Sequence, residues 1–442
     1  MFLLILLFIG GWQTFLNILM RSSDQYLIYT TQNSIRFLLL SLYFFYGFLL
    51  NAQQKTNNSR VDTAKVFISN FSHHIAAEIR PSYVFPTSPF YKTEVANEQL
   101  SKRAVSGHIK YSFSLPKGSL GKQVFSKTQQ GIGIAVFDFG NHKELGTPIA
   151  SYLFQTAQLS KLSEVASLNY EWNFGLSTGW RPYDPVNNPG NMIIGSKLNA
   201  YINLGLFLKW EIADRYWLTT GAELTHFSNG NTEYPNAGLN MVGAKLGLLY
   251  NLANDKQEKS EAEQVVNIPA LKRHLSYDLV LFGSWRRKGI EFGNTQVASP
   301  DKYPVLGAYF APMYNLNYRF RTGISLDGLY DGSGNVYTKD HIIGTDQPFI
   351  KPNWDQQLAL GLSARADFTM PIFTISMGIG THFLHKGGDF SGTYQSLALK
   401  TKMSRSAFLH IGYNVKDFRD PNYLMLGIGY RFNNKTPSLI SF

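Results

Sequence analysis

The chain has 442 residues, 38 glycines, 14% aromatic residues, no cysteine and a formal charge of +11. An apolar share of 44% excludes intrinsic disorder, and the lack of cysteine excludes a disulfide framework and any thiolate site. The basic residues are scattered, as at Lys197, Lys209, Lys245, Arg319 and Arg321, rather than gathered in runs, which argues against nucleic acid as a partner.

Two apolar segments open the chain. Residues 2–19 carry Gln13 and Asn17 inside the run, and residues 37–50 follow Arg36 and lead into Asn51-Ala52-Gln53. The second resembles a signal-peptide apolar region with cleavage after Ala52. Residues 1–52 are therefore expected to be an export signal, with 2–19 either an over-extended start or an extra anchor. No later stretch reaches the roughly eighteen apolar residues of a transmembrane helix.

After a polar leader that includes His73-His74, expected at the surface, segments of about ten residues follow one another. They run Ile75–Phe85, Val105–Leu115, Gly131–Phe139 and Ile149–Thr156. Then Leu168, Tyr170, Trp172, Phe174 and Leu176 alternate with polar or small residues, and Leu198, Ala200, Ile202, Leu204, Leu206 and Leu208 repeat the pattern. Sustained period-two alternation marks antiparallel strands with two different environments. Strands of soluble sheets average about five or six residues, whereas these have the length that crosses a tilted bilayer. The polar faces carry Glu171, Lys209, Arg365 and Asp367, which suit a hydrated lumen.

Residues 252–274, with Asn254-Asp255-Lys256-Gln257-Glu258-Lys259, read as a charged periplasmic linker between a first set of strands within 53–251 and a second within 275–442. The second set is predicted near 276–286, 304–317, 319–329, 357–368, 371–382, 395–403, 406–414 and 423–432, ending on the aromatic finish Tyr430 and Phe432. The fold class expected is an all-β transmembrane antiparallel barrel of about sixteen strands in the cell outer membrane, the alternative being two barrels of eight in tandem. Long connections at 86–104, 179–197 and 229–238 are expected on the outer face.

The candidate site is Thr225-His226-Phe227-Ser228-Asn229-Gly230 with Asn240. His226 and Ser228 share parity with Leu218, Ala222 and Leu224, and Asn240 shares parity with Val242, Leu246 and Leu248, so all three are predicted on the apolar face. On a membrane barrel that face meets lipid, which is where a site acting on lipid has to be. A serine hydroxyl needs a base to take its proton, and a histidine base needs a third group to fix its tautomer. Ser228 is accordingly the candidate nucleophile, His226 the base and Asn240 the orienting group, with Asn229 or backbone N–H groups near Gly230 as oxyanion donors. Thr381-His382-Phe383 echoes the first tripeptide, but Leu384 stands where a nucleophile would be, so His382 is read as an interfacial histidine.

His226-Phe227-Ser228-Asn229 followed by Pro235-Asn236-Ala237-Gly238-Leu239 resembles the signature of the PagL-type lipid A 3-O-deacylases, the acyloxyacyl hydrolase family of outer-membrane barrels. The resemblance implies hydrolysis of an ester-linked 3-hydroxyacyl chain of lipid A in lipopolysaccharide, with Ser228 as nucleophile, His226 as base and no cofactor. Asn240 departs from it, since that family has Glu there, and an amide holds an imidazole without stabilising imidazolium by charge. The same residues are similar to outer-membrane phospholipase A, whose triad is His, Ser and Asn. That resemblance implies a phospholipid substrate, calcium and dimerisation. No metal-ligand spacing is recognisable in the chain itself. A non-catalytic, structural or pore-forming barrel is the reading of a different class.

Overall fold

The structure, a computed structural model, describes residues 71–252 and 268–437 apart from 86–101, 117–118, 269, 293–294, 339–348 and 419. The expected export signal and most of the charged linker lie outside these residues. Eight strands form a first closed barrel: β1 (Ser72–Phe85), β2 (Arg103–Ser114), β3 (Thr128–Asp138), β4 (Gly146–Lys161), β5 (Ala166–Trp180), β6 (Asn199–Ala213), β7 (Tyr216–Ser228) and β8 (Leu239–Asn251). Eight more form a second: β9 (His274–Arg286), β10 (Tyr303–Asn315), β11 (Phe320–Asp331), β12 (Leu358–Thr369), β13 (Phe373–His385), β14 (Thr393–Lys402), β15 (Ala407–Lys416) and β16 (Asp420–Phe432).

The sixteen barrel strands thus close as two rings of eight, the tandem alternative, and not as the single ring expected. β8 pairs back onto β1, with Ile75 opposite Tyr250, and β16 pairs back onto β9, with Ile428 opposite Leu281. A ring of eight has an interior that side chains alone can fill, whereas one of sixteen leaves an aqueous channel.

Charge pairs cross both interiors, and beside those of the first barrel a cavity of about 440 Å³ lined by Glu78, Lys110, Glu171, Lys209 and Lys245 agrees with the expected hydrated lumen. In the first barrel the fully buried Arg80 donates to Glu78, Glu171 and Glu223. Lys110 reaches Glu78 at 2.9 Å and Glu171 at 2.6 Å, and Lys245 reaches Glu171 at 2.6 Å. In the second, Asp278 and Asp367 are shared by Arg321 and Lys400, and Arg431 joins Asp278. Arg365 pairs with Asp327 at 2.8 Å. Buried charges persist only when paired and hydrogen-bonded in this way. Lys209 places its ammonium 4.5 Å from the Trp217 ring. His74, expected at the surface, is buried on the inward parity of β1 and lies 3.3 Å from Gln129 Nε2.

The outer walls are apolar. Leu204 and Leu224 in the first barrel and Ile324 and Ile428 in the second remain 57–60% exposed, the signature of a surface whose solvent is lipid. Connections are short at one end, as at 162–165, 214–215, 316–319 and 403–406, and long at the other, as at 181–198, 229–238, 287–302 and 332–357. In outer-membrane barrels the longer loops are extracellular.

The barrels also touch each other. Trp172 on β5 packs edge-on against Phe373 on β13, with ring centroids 5.5 Å apart, and Met370 and Leu399 complete that buried cluster. At the short-turn end α1 (Leu120–Val124) adds Val124 and Phe125 to Tyr318 of the second barrel, and Arg319 donates to the Val124 carbonyl.

Candidate active site

β7 carries the site because its alternation is unbroken to its last residue. Thr219, Glu223, Thr225 and Phe227 are buried on the lumen side, which turns Leu224, His226 and Ser228 to the outer wall. Phe227 anchors this end. It is fully buried, with ring centroids 5.0 Å from Phe137, 5.0 Å from Trp180 and 5.4 Å from Tyr201. With that aromatic locked in the lumen, its two neighbours have no choice of face.

The β7–β8 register sets His226 directly opposite Asn240. Nδ1 of His226 lies 2.6 Å from Oδ1 of Asn240. A carbonyl oxygen only accepts, so Nδ1 carries the hydrogen and Nε2 keeps its lone pair. Gly238, at φ +70°, lies beneath the ring, and a Cβ there would come within 3.0 Å of His226 Cε1. Only glycine combines that backbone conformation with that closeness.

Ser228 pairs with Ala200 on β6 and stands where the strand ends. Its Oγ accepts from the Gly230 backbone N–H at 3.0 Å and lies 3.1 Å from Nδ2 and 3.2 Å from Oδ1 of Asn236. Asn236 has its amide orientation dictated by its other partners. Its Oδ1 accepts from the Asn229 backbone N–H at 3.1 Å, and its Nδ2 donates to Asn231 Oδ1 at 3.0 Å. The serine hydroxyl is thus held by the loop, with no hydrogen bond to the imidazole two residues back. Apo catalytic sites commonly show such loose geometry, which tightens when substrate binds.

The structure therefore brings His226 and Asn240 together, places Ser228 on the same outer wall, and puts Gly230 N–H on the serine oxygen. Asn229 is placed differently from the expectation of an oxyanion donor. Its side chain is buried and donates to the Glu233 carbonyl at 3.1 Å, so it shapes the loop. Asn236 is the residue that sequence reasoning missed. Pro235-Asn236-Ala237-Gly238 reads as a turn, and nothing in a turn signature says that its amide will fold back onto a hydroxyl eight positions earlier.

His382 does not reproduce this site. It lies on the inward parity of β13, donating from Nδ1 to the Phe390 carbonyl at 3.1 Å and stacking on Tyr394 with centroids 4.6 Å apart. It lines the mouth of the second lumen instead of the lipid interface. Among the described residues no group of three or more His, Cys, Asp or Glu could hold a metal ion.

Closed antiparallel rings with lipid-exposed apolar walls and long loops at one end define an outer-membrane β-barrel protein. Residues 105–248 match the family model of lipid A 3-O-deacylase (PagL), and residues 275–434 match that of the acyloxyacyl hydrolase C-terminal domain. The two cover most of the chain, which belongs to the PagL lipid A 3-O-deacylase family. The family makes it an outer-membrane hydrolase whose substrate is lipid A in the membrane. No curated protein matches. Among solved structures the chain is similar to the siderophore receptor PirA from Pseudomonas aeruginosa, at 6% identity over 81% of this chain and 80% of that one, with a TM-score of 0.23. It is similar to the FrpB iron transporter from Neisseria meningitidis at 10% identity over 82% and 70%, TM-score 0.21, and to Omp33 from Acinetobacter baumannii at 7% over 82% and 98%, TM-score 0.16. Likenesses this distant carry no argument about this chain.

Proposed function

We propose that the protein removes an ester-linked 3-hydroxyacyl chain from lipid A by serine catalysis, with Ser228 as nucleophile, His226 as general base and Asn240 as the group that orients the base. The observation that carries this reading is the 2.6 Å His226–Asn240 hydrogen bond on the lipid-facing wall, at the long-loop end, with Ser228 next on the same face. That end is where the outer leaflet presents the ester.

Ser228 Oγ turns from the loop toward Nε2 of His226, loses its proton to it and attacks the acyl carbonyl carbon. Negative charge forms on the carbonyl oxygen, and the N–H of Gly230 and Nδ2 of Asn236, freed from Oγ, are placed to donate to it. Collapse breaks the bond to the lipid A oxygen, which leaves with the proton from the imidazolium. Water, deprotonated at Nε2, then releases the fatty acid from Ser228. Asn240 keeps Nδ1–H in place throughout but supplies no countercharge, so the rate limit it sets is lower than a carboxylate would give.

Ser228→Ala, inserted and folded, is expected to lower lipid A deacylation by at least about a thousand-fold, read by mass spectrometry of the lipid, and to abolish labelling by a fluorophosphonate. Undiminished activity would overturn the reading. Asn240 favours a second one, a phospholipase A, which predicts lysophospholipid products and loss of activity on calcium chelation. The charge pairs that cross both lumens speak against an open pore.

A further inference from the structure

The loop that holds Ser228 is itself held by the second barrel. Asn236, which touches Ser228 Oγ, donates to Asn231 Oδ1. Nδ2 of Asn231 then crosses to the other barrel and donates to the Asn422 carbonyl on β16 at 3.1 Å. In return the Arg287 backbone N–H, just past β9, donates to the Asn231 carbonyl at 2.9 Å. Glu233, from the same loop, pairs with Lys302 and lies 3.7 Å from Arg287. The Leu424 side chain, also on β16, lies so close to Gly230 that a Cβ on that residue would be 2.5 Å from it.

Both ends of this bridge are firm. Gly230 and Asn231 have φ of +67° and +63°, a left-handed pair that asparagine tolerates better than most residues and that turns the Asn231 side chain back toward Asn236. On the far side Asn422 is fixed by Arg286, which donates to its Oδ1 at 2.5 Å and to Asp331 at 3.0 Å, and by its own donation to Asn414 Oδ1 at 2.9 Å.

The geometry points to Asn231 as a positioning residue through which the second barrel sets the orientation of the nucleophile. The hydrolase is then a two-barrel device, in which β9 and β16 brace a loop that the first barrel alone would leave to move. This rests on the serine reading above. It explains what a second ring that has Leu384 at the position matching Ser228 contributes to the reaction.

Asn231→Asp isolates the bridge. A carboxylate still accepts from Asn236 but can no longer donate to the Asn422 carbonyl, which it repels. The full-length protein in lipid vesicles is expected to lose about tenfold in kcat, with KM within about twofold, and to show faster amide hydrogen exchange over residues 229–238. Lys302→Glu should give a weaker form of both changes, and adding Glu233→Lys should restore them. Ser228→Ala should abolish turnover and speed exchange at Gly230, whose N–H loses its acceptor, while residues 231–238 exchange as in the wild type. Wild-type kcat and exchange in Asn231→Asp and in Lys302→Glu would overturn the inference, as would a loosened loop with undiminished turnover. Either pattern, with Ser228→Ala inactive, leaves the serine reading standing, whereas an active Ser228→Ala strikes that reading first.

Discussion

The two barrels carry the same tripeptide on opposite sides of their walls. Thr225-His226-Phe227 lies in a strand whose even positions are Leu218, Ala222 and Leu224, so its histidine shares the lipid face with them. Thr381-His382-Phe383 lies in a strand whose odd positions, Ile375, Met377 and Ile379, are the apolar ones, so its histidine falls among Ser376 and Gly378 and faces the lumen. What makes a histidine useful to a lipid hydrolase is thus its parity with respect to the wall, more than the residues beside it. The anchoring aromatic inverts in the same way, since Phe227 is buried in the lumen while Phe383 is 60% exposed outside.

Exchanging each histidine for alanine tests this most severely. His226→Ala is expected to lower kcat by about a thousand-fold or more through loss of the base, while His382→Ala should stay within a factor of about two, assayed on the same lipid A vesicles.

The lumens offer the next contrast. Arg80 shares Glu78 and Glu171 with Lys110 and Lys245 but pairs with Glu223 by itself, so Arg80→Met should cost about 3–5 kcal/mol by leaving the buried Glu223 unpaired. In the second barrel Lys400 and Arg431 remain on Asp278 when Arg321 is removed, and Arg321→Met should cost about 1–3 kcal/mol. Urea unfolding in lipid vesicles measures both, and equal losses would mean that the two charge layers are not built differently.

A change at position 240 sharpens the site itself. Asn240→Ala should lower kcat by about ten- to a hundred-fold by releasing the imidazole, whereas Asn240→Glu should raise it by up to about tenfold by adding a countercharge. A fall in the Glu variant would show that the site has adapted to its amide.

The smallest effect is expected at the mouth of the second barrel, where the long loops carry ion pairs. Burial works to raise the Asp389 pKa, but Lys288 and the Asn335 N–H outweigh it and hold the carboxyl below its ordinary value. A depressed carboxylate pKa contributes stability above the unfolded value of about 4, and that contribution fades as pH falls through the lower folded value. Asp389→Asn should therefore reduce stability at neutral pH by about 1 kcal/mol or less, the pair being partly exposed, and flatten the acid limb of the unfolding profile.

Alternation along single strands determined a good deal in advance. It gave sixteen strands near their observed places, an apolar outer wall, and His226, Ser228 and Asn240 together on that wall, because period two is local and survives any closure of the sheet. The same alternation turns His382 inward, because the apolar Ile375, Met377 and Ile379 of its strand have the opposite parity. Only the tertiary structure decided where the sheet closes, since closure depends on which distant edges find each other and β8 and β1 are far apart in sequence. It alone folded Asn236 onto the Ser228 hydroxyl and set the second barrel against that loop. Those contacts lie between side chains and carbonyls of segments that no periodicity connects.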